Sequence, residues 1–255
     1  MNDNAIVDPS TLPVWQQKLH ALAKQTADSE RAPGQFFGTK ACVLTFNKMP
    51  IPKNTMDVVV TAGIFENAYY PNPYDPNVIE SPTCFAYGVA DDEGEVLMVP
   101  HPSAHIKQAA ACDGCPRSKF GTAKGGTGKG KACRNLRRLS VLPAGATTSA
   151  DGVKKGSVGF VRLAVYSALG WADYVRKLAL DGKSPYSVIT KMTLVPDGKA
   201  QFKFIYAYVA DITDPEVLEA IMTRHDFDLQ DLQEPYPAPS DAGEQFEQTT
   251  AAPRI

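Results

Sequence analysis

The stretch Cys112–Arg138, CDGCPRSKFGTAKGGTGKGKACRNLRR, decides how the rest of this chain is read. It joins a Cys-x-x-Cys pair, Cys112 and Cys115, to a third cysteine, Cys133, across a glycine-rich loop whose only charges are basic. From Arg117 to Arg138 the segment carries +8 with no acid. Tetrahedral zinc needs four thiolate or imidazole ligands, and a Cys-x-x-Cys turn supplies two from one knuckle. Asp113-Gly114 between them is turn-prone. Cys133 is the third candidate. Cys84 fits best as the fourth, with His101 and His105 competing for the place, and Cys42 reads as a small core residue inside an apolar strand. A redox Cys-x-x-Cys belongs in a βαβ context, which the sequence does not offer.

The loop Lys124–Lys131 has too much backbone freedom to order itself. Tying both ends to a metal holds it in place and leaves its lysines able to follow a phosphate chain, by attraction that is sequence-independent and salt-sensitive. Gly125-x-x-x-x-Gly130-Lys131 matches the start of a P-loop, but Ala132 stands where the Mg²⁺-holding hydroxyl belongs, so no nucleotide cofactor is expected. A zinc deaminase is excluded by Ala111 before Cys112 and by the lack of His-x-Glu. Four protein ligands leave no open metal position, so the zinc expected is single and structural, and the protein is expected not to be an enzyme.

Outward from this segment the chain reads as follows. Residues 1–34 hold one short amphipathic helix, an arm with Val14, Leu19, Leu22 and Ala23 at helical spacing. Phe36–Phe46 and Asp57–Phe65 read as strands. Tyr69–Pro76 is an aromatic, proline-stiffened loop. Thr83–Val89 and Val96–Val99 suggest a hairpin. Arg138–Leu142 and Val158–Tyr166 are further strands, and Ala144–Lys155 is a loop. Leu169–Leu180 is a helix with Leu169, Ala172, Tyr174, Val175, Leu178 and Ala179 as its apolar stripe. Tyr186–Val195 and Lys199–Ala210 form a hairpin about Asp197-Gly198. A last helix covers Pro215–His225, opened by Thr213 or Asp214 and Pro215. From residue 226 to 255 the chain carries −6 and loses periodicity, so an acidic disordered tail is expected.

The fold expected is therefore α+β and mainly β. Three strands, a helix and two strands suit an OB-fold-like β-barrel over residues 35–225, with the zinc-pinned insertion at about 84–138. Stacking candidates for bases are Phe120 in the basic loop and Tyr69, Tyr70 and Tyr74. Backbone contacts are expected from Lys119, Lys124, Lys129, Lys131, Arg134, Arg137 and Arg138. Phe202, Phe204, Tyr206 and Tyr208 share one strand face and read as core. The opening MNDNAIVDPS has neither a basic nor an apolar signal region, and no apolar run approaches a membrane span. A cytoplasmic setting with reduced thiols and no membrane partner is expected.

Pro82-Thr83-Cys84, Cys112-x-x-Cys115-Pro116, Phe120-Gly121-Thr122-Ala123, Gly128–Cys133 with Gly-Lys-Gly-Lys, Arg137-Arg138-Leu139 and the helix Trp171–Val175 resemble tailed-phage, zinc-containing single-stranded DNA-binding proteins of OB type. The resemblance covers roughly residues 80–210. It implies Cys84, Cys112, Cys115 and Cys133 as zinc ligands, and a non-catalytic role on single-stranded DNA in replication and recombination. It also implies partner proteins recruited through the acidic tail. Phe85-Ala86-Tyr87-Gly88 is less polar than the group's pattern, and the end Pro253-Arg254-Ile255 lacks the acidic, phenylalanine-tipped form of bacterial counterparts. The rival reading is a module that binds a host replication or defence protein, with zinc serving the fold alone.

Overall fold

A computed structural model describes residues 13–19, 22, 36–72, 80–91, 93–123 and 128–236. Lys124, Tyr74 and the acidic segment from residue 237 onward lie outside these. The chain divides into two units, Met1–Pro33 and Gly34–Ile255. In the first, residues 14–19 are helical (α1), as the spacing predicts, with the amides of Gln16 and Gln17 donating to the Pro13 carbonyl.

The second unit is built on one long strand. A two-residue Asn47-Lys48 turn, both residues at positive φ, joins the short strands β1 (Thr45–Phe46) and β2 (Met49–Pro50). Then β3 runs unbroken from Thr55 to Tyr69, well past the Phe65 limit expected from sequence. Antiparallel neighbours flank it: β5 (Cys133–Pro143) along one edge, and β7 (Val188–Asp197) and β4 (Cys84–Gly88) on opposite ends of the other. With β6 (Gly159–Leu163) on β5 and β8 (Gln201–Asp211) on β7, the order is β6-β5-β3-β7-β8, and β4 pairs β3 off this path. β6 and β8 are not paired with each other among the described residues, so the sheet is open and no closed barrel forms. β4 pairs with β3 and not with Val96–Val99, which corrects the expected hairpin.

Both faces of β3 are covered, which explains its nearly continuous burial. Helix α3 (Val165–Leu180) packs on one face, where Val58, Val60, Leu139, Val161, Met192 and Phe204 meet Trp171, Tyr174 and Leu178. The stripe differs from the sequence reading. Leu169 is exposed, while Ser167 is buried because its Oγ accepts from the Phe204 amide at 2.9 Å. Phe204 and Tyr206 are core, as expected, and Tyr208 is exposed. On the other face α2 (Ala150–Lys155), which replaces the expected loop, and α4 (Pro215–Leu232) cover Val59 and Leu142.

The register slips by one residue at Thr61. That bulge inverts the face of every later side chain on β3. Ile64, Glu66 and Ala68 thus join the α4 side, and Asn67 and Tyr69 join the α3 side.

Helix α4 runs seven residues past His225, through the region expected to be disordered tail. Asp214 caps it by accepting from the Glu216 amide. Its buried row Val217, Ile221, Asp228 and Leu232 keeps helical spacing. Asp228 is tolerated in that row because Thr61 Oγ1, Ser140 Oγ (3.0 Å) and Arg224 Nε (3.2 Å) all donate to it. Among the described residues, no helix is long and apolar enough to cross a membrane.

Candidate metal centre and the basic surface beside it

Cys84 opens β4 and Cys133 opens β5, and both stand opposite Tyr69 in register, one on each side of it. Residues directly opposite share a face, so both thiols lie on the side of Asn67 and Tyr69. Their Cα atoms are about 10 Å apart, the width of two strand spacings.

Cys112 and Cys115 arrive from the connecting segment. The Cys112 amide donates to the Met98 carbonyl at 3.0 Å, and the Cys115 amide to the Cys112 carbonyl at 3.3 Å. Gly114, at φ +69, makes the tight knuckle possible. All four cysteines line one cavity with Asn67, Tyr69 and Arg117, and none is in a disulfide.

Burial pushes the Cys84 and Cys112 thiols up, and the neighbouring cysteines push them further. The same two causes, burial first, raise Cys133 to about 12. Four thiols whose ionised forms repel one another are the donor set that a soft cation neutralises, so the residues fit zinc. They converge without closing: no group of three or more such side chains among the described residues is at metal-holding geometry. The cavity wall contains Cys84 and neither His101 nor His105. His101 instead stacks on Phe85 with centroids 4.9 Å apart, and its Nδ1 accepts from the Ser103 amide at 3.1 Å. Cys42 packs half-buried at the edge of the α3 core.

The neck of the basic loop is pinned independently of the thiols. Phe120 bridges Lys131, Gly121 and Ala123 donate to the Gly130 carbonyl, and Thr122 Oγ1 accepts from the Ala132 amide at 3.0 Å. Phe120 is 80% exposed, with Lys131 Nζ 5.0 Å from its ring centroid.

Other cations nearby also lie over rings: Arg117 over Tyr69 at 5.1 Å, Arg134 over Tyr70 at 5.5 Å and Arg137 over Phe65 at 3.4 Å. Among the described residues no ion pair involves Arg117, Lys119, Lys129, Lys131, Arg134 or Arg137, although eight others link acids and bases elsewhere.

Three expected contact residues are placed differently. Tyr69 is the buried last residue of β3, a wall of the cysteine cavity and no free stacking platform. Tyr70, just beyond, is half-buried.

Arg138 is 3% exposed and bound to Glu66, so it faces no phosphate. Glu66 is the centre of a network that the sequence reading missed. Arg138 Nε donates to its carboxylate at 3.1 Å, Arg162 Nη2 at 2.9 Å, and the Tyr236 hydroxyl also donates. Burial would raise the Glu66 carboxyl, but Arg162 and Arg138 hold it below the usual carboxylate range. Arg138 Nη1 then ties down the chain after α4 through the Leu232 and Glu234 carbonyls. The signal was present in the sequence: Glu66, Arg138 and Arg162 each interrupt an apolar strand, where charges are rare unless paired.

Comparison with family models, curated proteins and solved structures finds no match to this chain.

Proposed function

We propose that the protein binds single-stranded DNA without catalysis, and that one structural zinc held by Cys84, Cys112, Cys115 and Cys133 anchors its basic loop. The observation that carries this reading is the set of unpaired cations on aromatic rings around the cysteine cavity. A cluster of cations without acids beside it offers a phosphate track, and the exposed ring of Phe120 offers a base-stacking face.

The topology supports the same reading. Taken without β1, β2, β4 and the helices α2 and α4, the strands β3, β5, β6, then α3, then β7 and β8 follow the three-strand, helix, two-strand order of an OB-fold, and the cysteine segment is the insertion between its first two strands. In that architecture the loop between the first two strands contacts oligonucleotides. The resemblance to phage proteins of DNA replication and recombination points the same way.

Metal analysis of the purified chain, paired with labelled oligo(dT) titrated over a salt series against duplex competitor, tests the proposal. Expected are near one zinc per chain, preference for the single strand, and affinity that falls steeply with salt. Exchanging Lys129 and Lys131 for Gln should reduce the salt slope by about 1.4, two phosphates' worth on a single strand. No retention of oligo(dT) at low salt would sink the DNA reading, and a zinc-free folded chain would sink the metal.

A further inference from the structure

Arg137 and Arg138 are neighbours on β5, so the pleat sends their side chains to opposite faces of the sheet. Arg138 finds Glu66 and is held in its charged form by it. Arg137 turns to the face of Cys133 and Asn135, where its cross-strand partners are Phe65 on β3 and Leu163 on β6. Its guanidinium lies 3.4 Å from the Phe65 ring centroid, and Nη1 donates to the Leu136 carbonyl at 2.9 Å. No carboxylate pairs with it among the described residues. Burial without a counter-ion lowers its pKa to about 10, whereas Arg138 next door is raised.

A half-buried cation without a partner destabilises the fold that carries it. Stacking on Phe65 recovers part of that cost and fixes the plane of the guanidinium, leaving other N–H donors without a partner among the described residues in a rigid fork. Asn135, two residues before it on the same face, is exposed and donates to Asn67 Oδ1 at 3.0 Å. Cys133, Asn135 and Arg137 thus form a row with steps of about 7 Å, leading from the cysteine cavity to the guanidinium.

We propose that Arg137, braced on Phe65, is a dedicated fork for one backbone phosphate of the bound strand, distinct from the diffuse attraction of the loop lysines. This rests on the single-strand reading above. A planar fork matches two phosphate oxygens at once, which a lysine ammonium cannot do. Charge and geometry are therefore separable at this position.

The test uses the full chain carrying Arg137→Lys or Arg137→Met, with oligo(dT) polarisation over a salt series and thermal melting. Arg137→Lys should bind about tenfold more weakly with the salt slope of the wild type, because charge is kept and the fork is lost. Arg137→Met should bind more weakly still, lose about 0.7 from the slope, and melt no lower than wild type, because it removes an uncompensated charge.

An Arg137→Lys chain that binds like wild type overturns the fork. So does an Arg137→Met chain that melts several degrees lower, since the arginine would then be structural. Inorganic phosphate at constant ionic strength separates the sources: Arg137-dependent phosphate binding that leaves oligo(dT) affinity unchanged would mark a free-anion site and overturn the backbone assignment. Failure of the wild type to hold oligo(dT) would remove both readings, whereas binding with an indifferent Arg137→Lys removes this one alone.

Discussion

Glu66→Gln is the most informative single change away from the cysteine cavity. The side chain of Glu66 is fully buried, that of Arg138 is 4% exposed and that of Arg162 is 31% exposed. Glutamine keeps the shape and one acceptor, but it removes the carboxylate charge that faces two guanidiniums and turns an amide N–H₂ toward them. Adding up the lost charge-assisted hydrogen bonds would overstate the effect, since each also cost desolvation. The relevant comparison is a buried pair broken from one side, about 3–5 kcal/mol. That is a large part of the 5–15 kcal/mol typical of a domain, yet small enough to leave a folded protein.

The pH dependence has a definite sign. The folded carboxyl, lowered by Arg162 and Arg138 against the opposing effect of burial, takes up its proton at lower pH than the unfolded one. Its contribution is complete above the unfolded value near 4.3, and it is lost as pH falls through the folded value. Urea unfolding of both proteins, followed by circular dichroism, should show the full gap at neutral pH and a narrowing gap below about pH 4, where wild type becomes neutral at this position too. A gap under about 1 kcal/mol at neutral pH, the range of an exposed pair, would refute the argument. So would a gap that does not change as the solution is acidified.

Phe120→Ala should weaken oligo(dT) binding by about 1–3 kcal/mol, one stacked base, and leave urea stability unchanged because the ring is 80% exposed; a stability loss would make it a packing residue. Leu232→Ala should cost about 2–5 kcal/mol in urea unfolding, since Leu232 is 0% exposed against Ile64 and Phe160; a change near zero would return residues 226–236 to the tail. Removing metal with a chelator should speed amide hydrogen exchange at Cys112, Cys115 and the first residues of β4 and β5, and leave β7 and β8 protected; uniform loss or no change would count against zinc.

The sequence was most legible where chemistry fixes spacing. The spacing of Cys112, Cys115 and Cys133 pointed to one shared place, and the structure brings Cys84 to the same cavity while His101 stacks on Phe85. It was least legible where a one-residue shift decides the outcome. Nothing in the run Val58–Ile64 marks Thr61 as the extra residue, so the faces of Glu66 and Tyr69 could not be assigned. Arg137-Arg138 poses the same problem: a strand must separate the two, and only the register shows that Glu66 takes Arg138. The true length of α4 was hidden by composition. Asp226, Asp228 and Asp231 read as solvated tail, although Asp228 is buried and bound by three donors.

These features share one cause, the length of β3. Its aliphatic clusters end at Ile64, yet the strand continues for five more residues, through Tyr69. Here Ala68 on it and Phe85, Ala86 and Leu136 beside it are buried, and polar and thiol groups join them in holding its neighbours. On one face Glu66 gathers Arg138, Arg162 and Tyr236, and through Arg138 the chain after α4. On the opposite face Cys84 and Cys133 flank Tyr69 and meet the Cys112–Cys115 knuckle. Polar and thiol contacts thus add to apolar packing at this end. An end held in this way can carry unpaired cations such as Arg134 and Arg137 close to the backbone without collapsing onto them. The proposed binding surface lies at this end, beside those cations.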